Sequence, residues 1–239
     1  MSETQQIERE ATLSQRLRAV SFGGHGTGES WTGGEQPDEA PPRYSTAYLR
    51  GGLNRAGIAA QTAQHFLMYE ALESAAESHR ARLGDGFDFW RPELHRVPGL
   101  RRDLQHWIGD DWEQEVRGRY TTPGIQTYVN RISEVAHDSV PHFVAHHYTR
   151  YLADLSGGLM IARMFMQSYG IEGDAGVEFH VFADIEDPKT YKEAYRELLD
   201  RQVFTTAEQE LIAAEVALAY SLNNTAAADL EARFEEYAA

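Results

Sequence analysis

Gly157 and Gly158 stand side by side inside a stretch, 139–169, whose apolar spacing is otherwise that of one long helix. Each glycine in a helix interior costs about 1 kcal/mol relative to alanine. A chain that keeps two of them together needs another body to approach that backbone closely. Tyr151, Asp154, Gly157, Gly158 and Ile161 follow i, i+3, i+6, i+7, i+10 and share one helix face. The spacing fits a flat ligand lying on the helix, and equally a tight crossing with a second helix.

The rest of the chain reads as helix too. Leu13, Leu17 and Val20 mark a first helix over 7–21. Residues 48–83 form a long helical stretch stopped by Gly84-Asp85-Gly86, and Pro98-Gly99 opens another that runs to Ile108. Thr122-Pro123 starts a helix reaching His137, and Asp138-Ser139 before Pro141 starts the glycine-bearing one. Pro188 begins a helix through Tyr195 and Leu199, and Thr205-Thr206-Ala207-Glu208 resembles a capping box before the last. The alternation over 177–182 suggests one short strand, with no obvious partner. Residues 22–45 are rich in Gly and Pro and read as a loop or insertion, and residues 1–6 as a flexible tail. The expectation is one all-α domain of 239 residues.

Composition removes whole classes of chemistry. With no cysteine there is no disulfide, iron–sulfur cluster, thiolate ligand or cysteine nucleophile. A formal charge of −15 argues against a nucleic-acid footprint, so an anionic ligand needs a local cluster of cations. No apolar run reaches membrane-spanning length, and the polar start has no leader-like apolar segment, so the expectation is a cytoplasmic protein.

Several residues are chemical candidates. Asp154, one turn before the glycines, can position water or relay protons, or simply pair with Arg150 at i−4. Lys192 and Arg196, at i and i+4 with Tyr195 between them, offer two cations on one side of a helix, suited to carboxylates or phosphate. Their alternative is a solvated helix face. His25 sits among glycines with room but little rigidity. Glu134, His137, His142 and His146 contain one E-x-x-H and one H-x-x-x-H, but a four-helix di-metal site needs a second E-x-x-H, which is missing. No P-loop, G-x-G-x-x-G or G-x-S-x-G is present.

Residues 146–158, HHYTRYLADLSGG, closely resemble the distal-helix signature of the biliverdin-producing heme oxygenases, especially bacterial ones. The stretch 13–29 resembles that family's proximal helix, with Arg18 seven positions before His25 and Glu29 four after it. Segments 69–73, 191–199 and 221–223 also resemble the family, so the likeness spans most of 13–223. The resemblance implies an all-α fold with heme between proximal and distal helices. It implies His25 as axial iron ligand, oriented by Glu29. Gly157 and Gly158 would press on the distal heme face, and Asp154, supported by Arg150, would hold the water network that supplies protons. Arg18, Tyr148, Lys192 and Arg196 would contact or steer the heme propionates. Oxygen and electrons from a ferredoxin or a flavin/NADPH reductase complete the expected reaction, and His95, Arg96, Arg101 and Arg102 form a basic patch that could dock the donor. Ala153 stands where the family has glycine, Leu159 where it has glutamine, and glycines surround His25 where it has helix formers. These departures leave open a second expectation, a heme-carrying protein of the same fold with impaired turnover.

Overall fold

The computed structural model describes residues 11–24 and 42–239, with the backbone alone for 22–24. Among the described residues ten α-helices run in chain order: α1 Leu13–Gly24, α2 Arg43–Arg50, α3 Arg55–Leu83, α4 Val97–Trp107, α5 Trp112–Arg117, α6 Pro123–Val135, α7 Val140–Tyr169, α8 Pro188–Arg201, α9 Thr206–Ala232 and α10 Phe234–Tyr237. Among the described residues there is no strand, only an isolated bridge between Leu53 and Ala238.

The starts follow local chemistry. The Thr122 side chain accepts from the Ile125 amide, Ser139 from His142, and Asp187 from Lys189, in each case just before a proline in the first turn. Thr205 and Glu208 close a capping box ahead of α9. The long α3 and α7 supply the centre of the core through Phe66, Met68, Tyr69 and Leu72 on one and Phe143, Tyr151 and Phe165 on the other, all buried. Helices α6 and α9 cross closely at Gly124, where a Cβ would fall 2.8 Å from the Thr225 carbonyl oxygen and 2.9 Å from Ala226 Cα. Helix α1 packs on α9 and α8, and its Ser14 amide and hydroxyl bind the Asp200 carboxylate at 2.8 and 2.7 Å.

Four expectations change. The stretch 48–83 is two helices, because Gly51 takes φ +74° and its missing Cβ leaves room for the Ser168 carbonyl oxygen, which such an atom would meet at 2.5 Å. Helix α1 continues to Gly24 and α2 begins at Arg43, so the Gly/Pro-rich segment is shorter than 22–45, and residues 25–41 of it lie outside the described residues. The residues expected as a strand form a 3-10 turn, Glu178–His180, whose amides at Glu178 and Phe179 donate to the buried Asp103 carboxylate at 2.9 and 2.8 Å. A lone strand has no ladder to satisfy its backbone, and this carboxylate does so instead. The six-residue α5, which the acidic run 110–115 concealed, was not expected at all.

Candidate functional site

The site is built on one face of α7. Ala153, Ser156, Met160 and Met164 flank Gly157 along the helix and are exposed, Met160 at 41% and Met164 at 39%. Gly157 is buried, but a Cβ on it would meet, among the described residues, only the Ile161 side chain of the same helix. No other described element closes on that position. Gly158 faces elsewhere: a Cβ there would sit 3.3 Å from the His180 carbonyl oxygen and 3.8 Å from the Phe182 ring. The two glycines therefore do different work. Gly158 admits the 3-10 turn against α7, the close-crossing alternative, while Gly157 leaves a flat apolar floor.

On one side of this floor Asp154, 18% exposed, accepts a hydrogen bond from the Tyr69 hydroxyl of α3. Its other oxygen is 3.8 Å from Arg150, whose side chain is 8% exposed and whose guanidinium donates to Asn223 Oδ1 of α9 at 2.9 Å and lies over the Tyr69 ring. Burial pushes the Asp154 carboxyl above the usual range, and the nearby Arg150 opposes that rise. The ion pair with Arg150 exists, but Asp154 also has a phenol aimed at it from another helix. Tyr69 and Asn223 lie in segments 69–73 and 221–223, yet nothing local marks their roles. Only the fold brings α3, α7 and α9 together here.

On the other side stand the cations. Lys192 donates from Nζ to Ser156 Oγ at 2.9 Å, tying α8 to the rim of the floor. Arg196, one turn on, is half-buried, and its Nε, like that of Arg150, is a buried donor with no hydrogen-bond partner among the described residues. Tyr148 is buried, its hydroxyl bonded to Ser21 of α1, with Arg18 and Arg196 as its charged neighbours. The structure thus brings Arg18, Tyr148, Lys192 and Arg196 to one region, as the spacing of Lys192 and Arg196 alone did not establish. His25 and Glu29 lie outside the described residues.

Two other groupings come apart. Arg96 is buried, donating to the carbonyls of Phe179 and Val181 at 3.3 and 2.7 Å with its guanidinium 3.8 Å from the Phe182 ring. Arg102 pairs with Glu178, and His95 packs edge-on against Trp90, so of the expected basic patch Arg101 and Arg102 alone are exposed cations. Glu134, His137, His142 and His146 do not converge. Glu134 is exposed beside Arg131, His137 meets Ser78, His142 meets Ser139, and His146 meets Glu215. Among the described residues no three His, Asp or Glu side chains group as a metal site.

Comparison with known proteins agrees with this geometry. The family model "Heme oxygenase" matches residues 42–229. A protein named heme oxygenase from Rhodella violacea is 30% identical over 192 residues, 80% of each chain. Heme oxygenase 1 of Synechocystis is 32% identical over 183 residues, covering 75% of this chain and 73% of that one. The solved structure of heme oxygenase-1 from Synechocystis in complex with heme superposes with a TM-score of 0.79 at 28% identity, covering 95% of both chains. Its heme oxygenase-2, solved with heme and NO, gives 0.77 at 28% identity, covering 92% of this chain and 85% of that one. On the family match over 42–229, and with the distal helix, its glycines and its flanking cations arranged as described, this chain belongs to the heme oxygenase family.

Proposed function

We propose that this protein is a heme oxygenase that cleaves heme to biliverdin, carbon monoxide and ferrous iron. The observation that carries the reading is the absence, among the described residues, of any second element against the missing Cβ of Gly157, with Lys192 and Arg196 on one side of it and Asp154 on the other. The residues fit the group. A planar macrocycle needs a surface without a projecting Cβ, and Gly157 provides it, with Met160 and Met164 as apolar border. Two propionates need cations, and Arg196 Nε is a buried donor without an acceptor among the described residues.

When bound, heme supplies both the iron that activates dioxygen and the ring carbon that is oxidised. The protein's own share is to hold, orient and deliver protons. Arg18, Tyr148, Lys192 and Arg196 hold the propionate edge, and His25 ligates the iron with Glu29 orienting its ring. Asp154 keeps the Tyr69 hydroxyl turned toward the floor, while Arg150, fixed by Asn223, stops the carboxylate from swinging away. A proton passing along that pair needs no large movement of either group. Gly158 and the turn behind it set the height of the helix. The electron donor is a ferredoxin or a flavin/NADPH reductase, and the compartment is the cytoplasm. Among the described residues no helix is long and apolar enough to cross a membrane.

Titration of the purified protein with hemin, followed by a reductant in air, tests the proposal. A one-to-one Soret complex that decays to a bilin with release of carbon monoxide is expected. A complex that persists unchanged would make the protein a heme carrier, a reading that the Ala153 methyl on the floor favours. Absence of a complex would overturn both.

A further inference from the structure

Four buried or half-buried tyrosines run from the site to the surface, each bonded to a different base. The Tyr69 hydroxyl donates to Asp154. Tyr151 donates to Glu73 at 3.4 Å, the Tyr195 hydroxyl lies 2.8 Å from His147 Nδ1, and half-buried Tyr191 donates to Glu93 at 2.6 Å. The rings from Tyr69 to Tyr195 follow one another in contact, two pairs tilted and the last stacked. Tyr69 and Tyr151 are 5.2 Å apart between centroids, Tyr151 and His147 4.5 Å, and His147 and Tyr195 5.6 Å with planes 6° from parallel. Tyr191 lies one turn before Tyr195 on α8.

A buried phenol commonly finds an acceptor, so any one of these bonds is unremarked packing. Four in series, beginning at the carboxylate that borders the floor, have a chemical consequence. Removing an electron from a neutral phenol leaves a strongly acidic cation radical, so oxidation is easy only where the proton has a base to enter. Burial keeps the phenols of Tyr69, Tyr151 and Tyr195 protonated far above the ordinary range, and pushes the His147 imidazole down to about 3, so that it is neutral and takes a proton at Nδ1 only from a donor as acidic as an oxidised phenol.

We infer that Tyr69, Tyr151, Tyr195 and Tyr191 conduct stray oxidising equivalents out of the site. The reading rests on heme binding as proposed above. The oxidant is hydrogen peroxide reacting at the bound heme: its O–O bond breaks, and each peroxide reduced to two waters takes two electrons from phenols, one at a time, and two protons from solvent, while each oxidised phenol leaves its own proton on its neighbouring base. At each step a tyrosyl radical takes an electron from the next tyrosine outward and recovers its proton from its own base, while the next phenol releases a proton to its own. The radical ends at Tyr191 with the proton on Glu93, within reach of a thiol or ascorbate-type reductant. What the path spares is on the floor: Met160 and Met164, exposed thioethers open to conversion to sulfoxide.

The test treats heme-loaded protein with hydrogen peroxide and a nitroso spin trap, then maps adducts and methionine sulfoxides by peptide mass spectrometry. The wild type should carry trap on Tyr191. Tyr151→Phe, which keeps the ring and removes the phenol, should lower that label to the level of heme-free protein and raise sulfoxide at Met160 and Met164. Tyr195→Phe cuts the path at a second place and should do the same, so a folding defect in one variant leaves the other decisive. Equal labelling of Tyr191 in wild type and both variants, or none in the wild type, overturns the path while the Soret complex and bilin formation stand. A protein that forms no Soret complex overturns the path and the heme reading together.

Discussion

Replacing Gly157 and Gly158 by alanine, one at a time, separates the floor from the crossing. Glycine to alanine inside a helix is worth about 0.8–1 kcal/mol. At 157 the new methyl meets Ile161 Cδ1 at 3.3 Å, the far end of a flexible side chain, so nearly all of that gain survives in heme-free protein. For a chain of this length the expected rise in Tm is about 2–4 °C. At 158 the methyl lies 3.3 Å from the His180 carbonyl oxygen, which is backbone. The turn that carries it cannot retreat freely, because Arg96 binds the carbonyls of Phe179 and Val181 and Asp103 binds the amides of Glu178 and Phe179. Gly158→Ala therefore gains less, or loses. Hemin affinity should order the variants differently. A methyl raised on the floor at 157 forces an overpacked contact of about 1–3 kcal/mol, which weakens hemin binding by about fivefold to 150-fold. Thermal denaturation of heme-free protein and hemin titration by Soret absorbance measure both quantities. Heme-free Gly157→Ala less stable than wild type would mean the ground above the helix is already filled. Greater stability with unchanged hemin affinity would mean the porphyrin lies elsewhere.

Asp154→Asn keeps the acceptor for Tyr69 and removes the charge beside Arg150, so hemin binding should persist while bilin formation slows by about 10²-fold. Undiminished single-turnover bilin formation would refute the proton role. Arg196→Gln breaks no bond at Nε, so stability should stay within about 0.5 kcal/mol of wild type. Its hemin affinity should fall about tenfold, less at high salt, and an unchanged titration curve would remove Arg196 from the propionate edge. Burial alone would raise the Glu215 carboxyl, but hydrogen bonds from His146 and Arg131 hold it at about 2. The unfolded chain takes up that proton first, so this stability is present above about pH 4.5 and is lost as pH falls from there toward 2. Glu215→Gln should cost about 3 kcal/mol at pH 7 and flatten the urea midpoint between pH 6 and 3, and parallel slopes in both proteins would refute it. Gly124→Ala should destabilise by about 2 kcal/mol or more, since its methyl would meet backbone of α9 below 3 Å. An unchanged urea midpoint would show that α6 and α9 are not held this closely.

What was legible in the sequence was short-range. Thr122, Ser139 and Thr205 announce helix starts because each bonds an amide three residues away, and Pro188 because its fixed φ suits a first turn. The break at Gly51 was not legible, because its cause is the Ser168 carbonyl from the far end of α7. The turn at 178–180 alternates like a strand because Val177 and Phe179 both face the core, and its backbone is satisfied by Asp103, far earlier in the chain. Arg96 looked like a surface cation because the carbonyls that bury it lie more than eighty positions on. In the site, the run HHYTRYLADLSGG carried Asp154 and the glycines, but not that Tyr69 would aim at Asp154, nor that only one of the two glycines would have another segment's backbone against it. Those facts belong to the packing of α3, α8 and the 3-10 turn on α7.

The contact between Lys192 and Ser156 makes the molecule easy to footprint. The chain's only two lysines, Lys189 and Lys192, lie on α8, and just one of them touches the floor. Acylation of side-chain amines therefore carries its own internal reference: Lys189 reports the reagent, and shielding of Lys192 relative to it reports occupancy.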